Sequence, residues 1–155
     1  MILATFTVPG QPEGKGRPRC SVIGGKPRMR TPTKTRQYEA RIATAAAFAW
    51  AGRPPLDVPV SVEVRAVKSR PKSRPKSVPL DAWKTNQRAW RGAKPDADNV
   101  AKAVLDALTM AGVLLDDVWA VRVVALSLYA AKGEAARTEV RIVRAAAVPS
   151  PLVAP

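Results

Sequence analysis

Five of the chain's twelve acidic residues fall within 22 positions, and all five are aspartates: Asp96, Asp98, Asp106, Asp116 and Asp117. Just upstream, Arg65 to Lys94 holds ten basic residues against Asp81 alone. A cationic surface attracts polyanions and a bare carboxylate cluster repels them, so a bound cation would remove the conflict. Asp96 and Asp98 are two apart, and side chains at that spacing share one face of an extended chain. A helix of roughly three to four turns would then bring the chain back beside the pair, delivering Asp117 or its neighbour Asp116. Three carboxylates leave coordination positions open for water and phosphate oxygens, as phosphoryl-transfer sites require. Asn99, Lys102 and Asp106 would share one polar helix face beginning at that site. Simpler roles are open for each: a helix cap for Asp98 and Asn99, a turn for Asp116 and Asp117, and a solvated ion pair for Lys102 with Asp106.

Composition restricts the chemistry further. The 155 residues contain no histidine and only one cysteine, Cys20. Histidine-dependent nucleophile systems are excluded within the chain, as is a structural zinc site. A metal must therefore be held by oxygen, which favours magnesium, with manganese as a substitute, or calcium. The lone cysteine argues against a disulfide framework and fits a reducing compartment. No apolar run has membrane-span length and no signal core opens the chain, so a cytoplasmic protein is expected. Lys and Arg number 26 against 12 acids, a net charge of +14 with a pI of about 10.9. Nucleic acid is the partner this balance suits.

The elements that must position these residues follow from periodicity. Residues 1–144 read as one domain of the α+β (α/β) class, a mixed sheet with two main helices packed on it. The expected order is strand, helix, strand, basic loop, helix, strand, strand. Ile2, Ala4, Phe6 and Val8 alternate as a first strand, and Pro9 to Pro32 reads as a long basic loop. Thr33 or Thr35 is the expected cap of a helix running to about Ala51. Val58 to Ala66 alternate over a strand with one covered face. Residues 68–94 read as a basic excursion outside the core, with the near-repeat Arg70-Pro71-Lys72-Ser73 and Arg74-Pro75-Lys76-Ser77. Asp98 or Asn99 is the expected cap of the second helix, which buries Ala101, Val104, Leu105 and Leu108 and ends at Gly112. Strands from about Val118 to Tyr129 and Arg137 to Val143 complete the sheet. The uncharged, proline-bearing stretch 145–155 reads as a loosely ordered tail.

The run Asp96-Ala97-Asp98-Asn99, then Lys102, then Leu105-Asp106-Ala107-Leu108, then Ala111-Gly112-Val113 and Asp116-Asp117 closely resembles the signature of RusA-type Holliday junction resolvases. Pro9-Gly10 through Lys15-Gly16-Arg17-Pro18-Arg19 looks like the N-terminal basic loop of phage-encoded relatives. The resemblance implies a magnesium-dependent endonuclease acting as a homodimer on four-way junctions in a bacterial or phage-infected cell. Asp96, Asp98 and Asp117 would be its metal carboxylates, and only the family spacing selects Asp117 over Asp116. Lys102 would be its essential cation, with Asn99, Asp106 and Asp116 around this set. A twofold dimer matches a junction's two equivalent strands.

In that mechanism an ion polarises the scissile phosphate and acidifies a water that attacks in line, while Lys102 stabilises developing charge or orients the water. Lys15, Arg17 and Arg19, with Arg70, Lys72, Arg74 and Lys76, would hold phosphates without reading sequence. Trp83 and Trp90 would either stack on unpaired bases or anchor a small core. The rivals are a non-catalytic basic DNA-binding protein of phage DNA metabolism or packaging, and a metal-dependent nucleotide hydrolase. No nucleotide cofactor is expected, because Gly10 to Lys15 has the wrong spacing for a P-loop and Gly16 stands where Ser or Thr is needed.

Overall fold

A computed structural model describes residues 1–146. Its main elements are β1 (Ile2–Pro9), β2 (Arg19–Ile23), β3 (Lys26–Arg30), α1 (Thr33–Trp50), β4 (Val60–Lys68), α2 (Leu80–Lys84), β5 (Ala89–Trp90), α3 (Ala97–Met110), β6 (Ala120–Tyr129) and β7 (Arg137–Arg144). A 3₁₀ turn at Asp117–Trp119 leads into β6. The mixed sheet and two main helices expected from the sequence are present. Of the proposed tail, residues 147–155 lie outside the described residues.

Five strands form one sheet in the order β1-β7-β4-β6-β5. The β4 and β6 strands run parallel, while β7 is antiparallel to both β1 and β4. The last strand in the chain therefore lies inside the sheet, between β1 and β4. Alternation decides which face is covered: Ala4, Phe6 and Val8 of β1, Val62, Val64 and Ala66 of β4, and Val140 and Ile142 of β7 all join one core. Tyr38, Ile42, Ala46 and Trp50 of α1 cover it, with Val100, Ala103, Val104, Ala107 and Leu108 of α3. The two helices also pack on each other, and no helix of the described residues is long and apolar enough to cross a membrane.

The opposite face is charged. Glu63, Arg65, Glu139 and Arg141 line a shallow depression there with Thr5. As a central strand β4 is covered more fully than simple alternation implied, since Ser61 and Val67 are also buried.

Two stretches differ from the sequence-based expectation. Pro9 to Pro32 is not merely a loop, because Arg19–Ile23 and Lys26–Arg30 pair as an antiparallel ribbon. Its turn is Gly24-Gly25, both at positive φ, a two-residue hairpin connection that glycine adopts without strain. The excursion 68–94 is not outside the core. Val78, Ala89 and Arg91 are buried, and β5 adds to the sheet beside Leu128 and Tyr129. Arg88 ties the excursion down by donating to Glu134 at 2.6 Å and to Glu139 at 2.7 Å, while Arg137 donates to the same two carboxylates.

Hydrogen bonds from Arg88 hold the Glu134 carboxyl down at about 2 and lower that of Glu139. A depressed carboxylate contributes stability above its unfolded value near 4.5, and that contribution is lost as pH falls toward 2. Arg88→Ala should therefore cost about 2 kcal/mol at neutral pH. Urea titrations from pH 7 to pH 2.5 should show the gap to the native chain closing below pH 4.5, and a constant gap would refute this assignment.

Candidate active site at the start of the third helix

Asp96 and Asp98 lie at the N-terminus of α3, Asp106 in its second half, and Asp116 and Asp117 in the turn that follows its C-terminus. Asp96 is the N-cap residue, with φ −69° and ψ 153°, and its side chain makes no cap hydrogen bond. This corrects the expected cap: Asp98 and Asn99 lie inside the first turn. Among the described residues the Asp96 side chain takes no part in hydrogen bonding or ion pairing, and the residue is exposed. Asp98 is exposed as well and faces Lys102 at 3.7 Å across one helical turn. A solvated pair of this kind contributes at most a few tenths of a kcal/mol, so it does not fix Lys102 in place.

Asp116 and Asp117 take different roles. The Asp116 carboxylate accepts from the Val118 backbone N–H at 3.0 Å and caps the 3₁₀ turn. That bond, then the Asp117 side chain, lowers the Asp116 pKa. Asp117 is pushed up, first by its hydrogen bond with Asp116 and further by the charges of Asp116 and Asp106. Crowded carboxylates of this type are relieved by a cation. Among the described residues, no three acidic, cysteine or histidine side chains already meet as a metal cluster.

A strap of Gly14-Lys15-Gly16 holds this region together. The Lys15 backbone N–H donates to the Asn99 carbonyl at 3.0 Å. Its ammonium bonds Asp106 and donates to Glu39 at 2.9 Å, joining α3 to α1. Burial pulls the Lys15 pKa down, but the bonds to Asp106 and Glu39 outweigh it and the net shift is upward. Neither glycine of this strap has room for a side chain. A Cβ on Gly14 would stand 2.8 Å from the Pro95 ring, and one on Gly16 would stand 2.8 Å from Pro32 and Thr35.

Thr35 is not a helix cap, since α1 begins after Pro32 without a side-chain cap bond. Buried at 3% exposure, its hydroxyl accepts from Gly16 N–H at 3.0 Å and donates to the Gly14 carbonyl at 3.3 Å. Thr35→Val keeps the shape and removes both bonds. It should lower stability by about 1–3 kcal/mol in urea denaturation. Tryptic cleavage after Lys15 should also accelerate, and an unchanged digestion rate would show that the strap does not depend on this hydroxyl.

Arg91, which the sequence did not single out, supports the approach to Asp96 from below. At 5% exposure, its guanidinium donates to the carbonyls of Ala93 at 2.6 Å, Lys94 at 2.8 Å and Pro95 at 2.5 Å. Burial lowers its pKa, partly offset by the charges of Tyr129 and Asp96. Three consecutive carbonyls directly before Asp96 are thus fixed by one planar donor group.

The expected phosphate-binding residues divide by their contacts. Lys15 is engaged as described. Arg70 lies 3.6 Å over the Trp83 ring and donates to the Trp83 and Gln87 carbonyls, and Arg74 donates to the Val78 carbonyl. Arg17, Arg19, Lys72 and Lys76 are exposed. Trp83 meets Tyr129 edge-on at 6.4 Å as a local anchor, whereas Trp90 is 70% exposed.

Residues 9–143 match the family described as endodeoxyribonuclease RusA. The chain is also 34% identical over 110 residues to the uncharacterized protein YqaN of Bacillus subtilis (strain 168), covering 66% of this chain and 72% of that protein. The family match takes in the strap, Arg91, the helix that carries Asp98 and Lys102, and both aspartates of the turn. The chain belongs to the endodeoxyribonuclease RusA family.

Proposed function

We propose that the protein is a magnesium-dependent, structure-selective endodeoxyribonuclease that resolves four-way DNA junctions by paired nicks, as a homodimer. The observation that carries this reading is the family match, which spans the acidic stretch from Asp96 to Asp117 and the exposed cations Arg17, Arg19, Lys72 and Lys76. Asp96, Asp98 and Asp117 would hold the metal. The donor set is all oxygen, the three carboxylates are exposed, and the Asp117 carboxyl is crowded by like charge, all of which suit a hard divalent cation. When bound, magnesium supplies positive charge at the scissile phosphate and a water of lowered pKa.

The chain's own groups perform the remaining tasks. Lys102, held only by its weak pair with Asp98, turns toward the phosphate and meets the charge that develops there. The proton of the attacking water passes to a carboxylate of the cluster, because the chain has no imidazole. Asp116, already committed to the Val118 N–H, holds the turn that presents Asp117. A twofold pair of such sites matches the twofold pair of strands to be cut.

The test is a nicking assay on four-way, three-way and linear duplex DNA with and without magnesium. Paired, symmetric nicks in the four-way substrate, dependent on magnesium, are expected. Calcium should allow binding without cutting. Binding without any metal-dependent nick would instead indicate a DNA-binding protein without catalysis.

A further inference from the structure

Between Glu13 and Glu39 the chain carries eight lysines and arginines and no carboxylate. Four of these cations, Arg19, Lys26, Arg28 and Arg30, lie on the β2–β3 ribbon, and nine of its ten strand residues are exposed. The register pairs Arg19 with Arg30, Ser21 with Arg28 and Ile23 with Lys26. Directly opposed residues of an antiparallel pair share a face, so all four cations project from the same side. Cys20, Val22 and Met29 occupy the other side. None of the four cations is in an ion pair among the described residues. Arg88, Arg137 and Arg141, by contrast, face Glu134, Glu139 or Glu63.

Such a ribbon is unfavourable in isolation. A two-stranded hairpin is marginal without packing, and opposed like charges weaken it further. The missing counter-charge must come from outside the chain. The ribbon also starts close to the candidate active site. Lys15 is bonded to Asn99, and the four residues from there to Arg19 span at most about 14 Å.

We propose that the β2–β3 hairpin is a DNA arm whose cationic face lies along the phosphates of a duplex arm beside the cutting site. This rests on the nuclease reading for its choice of polyanion. A two-stranded ribbon is also of a size that the DNA major groove admits. Neutralising phosphates releases condensed counterions, so each cation of the arm contributes to the salt dependence of binding.

The experiment uses the full chain and its R19S/K26S/R28S/R30S variant, with labelled linear duplex and four-way junction as probes. Binding is measured in EDTA across 50–200 mM KCl. The variant should bind both probes at least about tenfold more weakly at 100 mM, with a slope of log K against log salt shallower by about 3–4. Its melting temperature should be retained, because the hairpin supplies no core residue. Unchanged affinity and slope would overturn the proposal. So would a V22S/M29S variant that altered the sedimenting mass while the cationic variant bound DNA normally, since the ribbon would then be a protein contact. A native chain that shows the steep slope but never nicks would overturn the nuclease reading and leave the arm standing.

Discussion

Asp96→Asn should reduce magnesium-dependent nicking by at least about 10³-fold while leaving junction binding intact. Its interpretation is favourable because the substitution is structurally mild. Asparagine caps a helix as well as aspartate, and the Asp96 side chain makes no cap bond that could be lost. The helix-dipole contribution of one exposed charge is below about 1 kcal/mol. The melting temperature should therefore hardly move, and the lost rate reports on chemistry rather than on folding. Single-turnover nicking of a labelled junction, with affinity measured in calcium, separates the two. Nicking within tenfold of the native rate would remove Asp96 from the metal site.

Arg91→Met should cost both stability and activity. The guanidinium is buried and satisfies the carbonyls of three consecutive residues that lead into Asp96. Methionine fills much of the volume but leaves those acceptors without a donor, at about 1–3 kcal/mol for each group that water cannot reach. Arg91→Lys should rescue little, because an ammonium cannot reproduce the planar fork. A purely structural arginine would lower the melting temperature alone. A positioning residue also raises the magnesium concentration needed for half-maximal nicking, by about 10–100-fold if it behaves as supports of metal ligands usually do. Native magnesium dependence in a folded Arg91→Met chain would show that the loop holds Asp96 without it.

The acidic stretch at the start of α3 stands out in the sequence because its signals are local, whereas the proposed meeting of Asp117 with Asp96 and Asp98 is not a cluster among the described residues. Asp96, Asp98, Asn99 and Lys102 sit within seven positions, and helical periodicity from Val100 to Leu108 fixes which way the helix faces. The strands were legible for the same reason, since Phe6, Val64 and Val140 alternate with polar neighbours. Features that depend on distant partners were not. Arg91 looks like any other cation in a basic run, and only its burial against the carbonyls of residues 93–95 reveals its role. Thr35 carries a capping residue type, yet its hydroxyl is recruited by a strap twenty positions earlier. The ribbon did have a signal, Gly24-Gly25 between two short segments, but its strands lack the apolar alternation that burial imposes. Neither of its faces packs on the core.

The placement of β7 between β1 and β4 has a consequence for the timing of folding. During synthesis the chain emerges from its N-terminus, and β1 and β4 have no neighbour to share until residues 137–144 arrive between them. Lys15 likewise waits for Asp106, 91 positions later. Contacts of such long sequence separation form late and slowly. An interrupted or nascent chain therefore carries the aspartates without the sheet on which α3 packs, and that sheet is complete only when nearly the whole domain has been made.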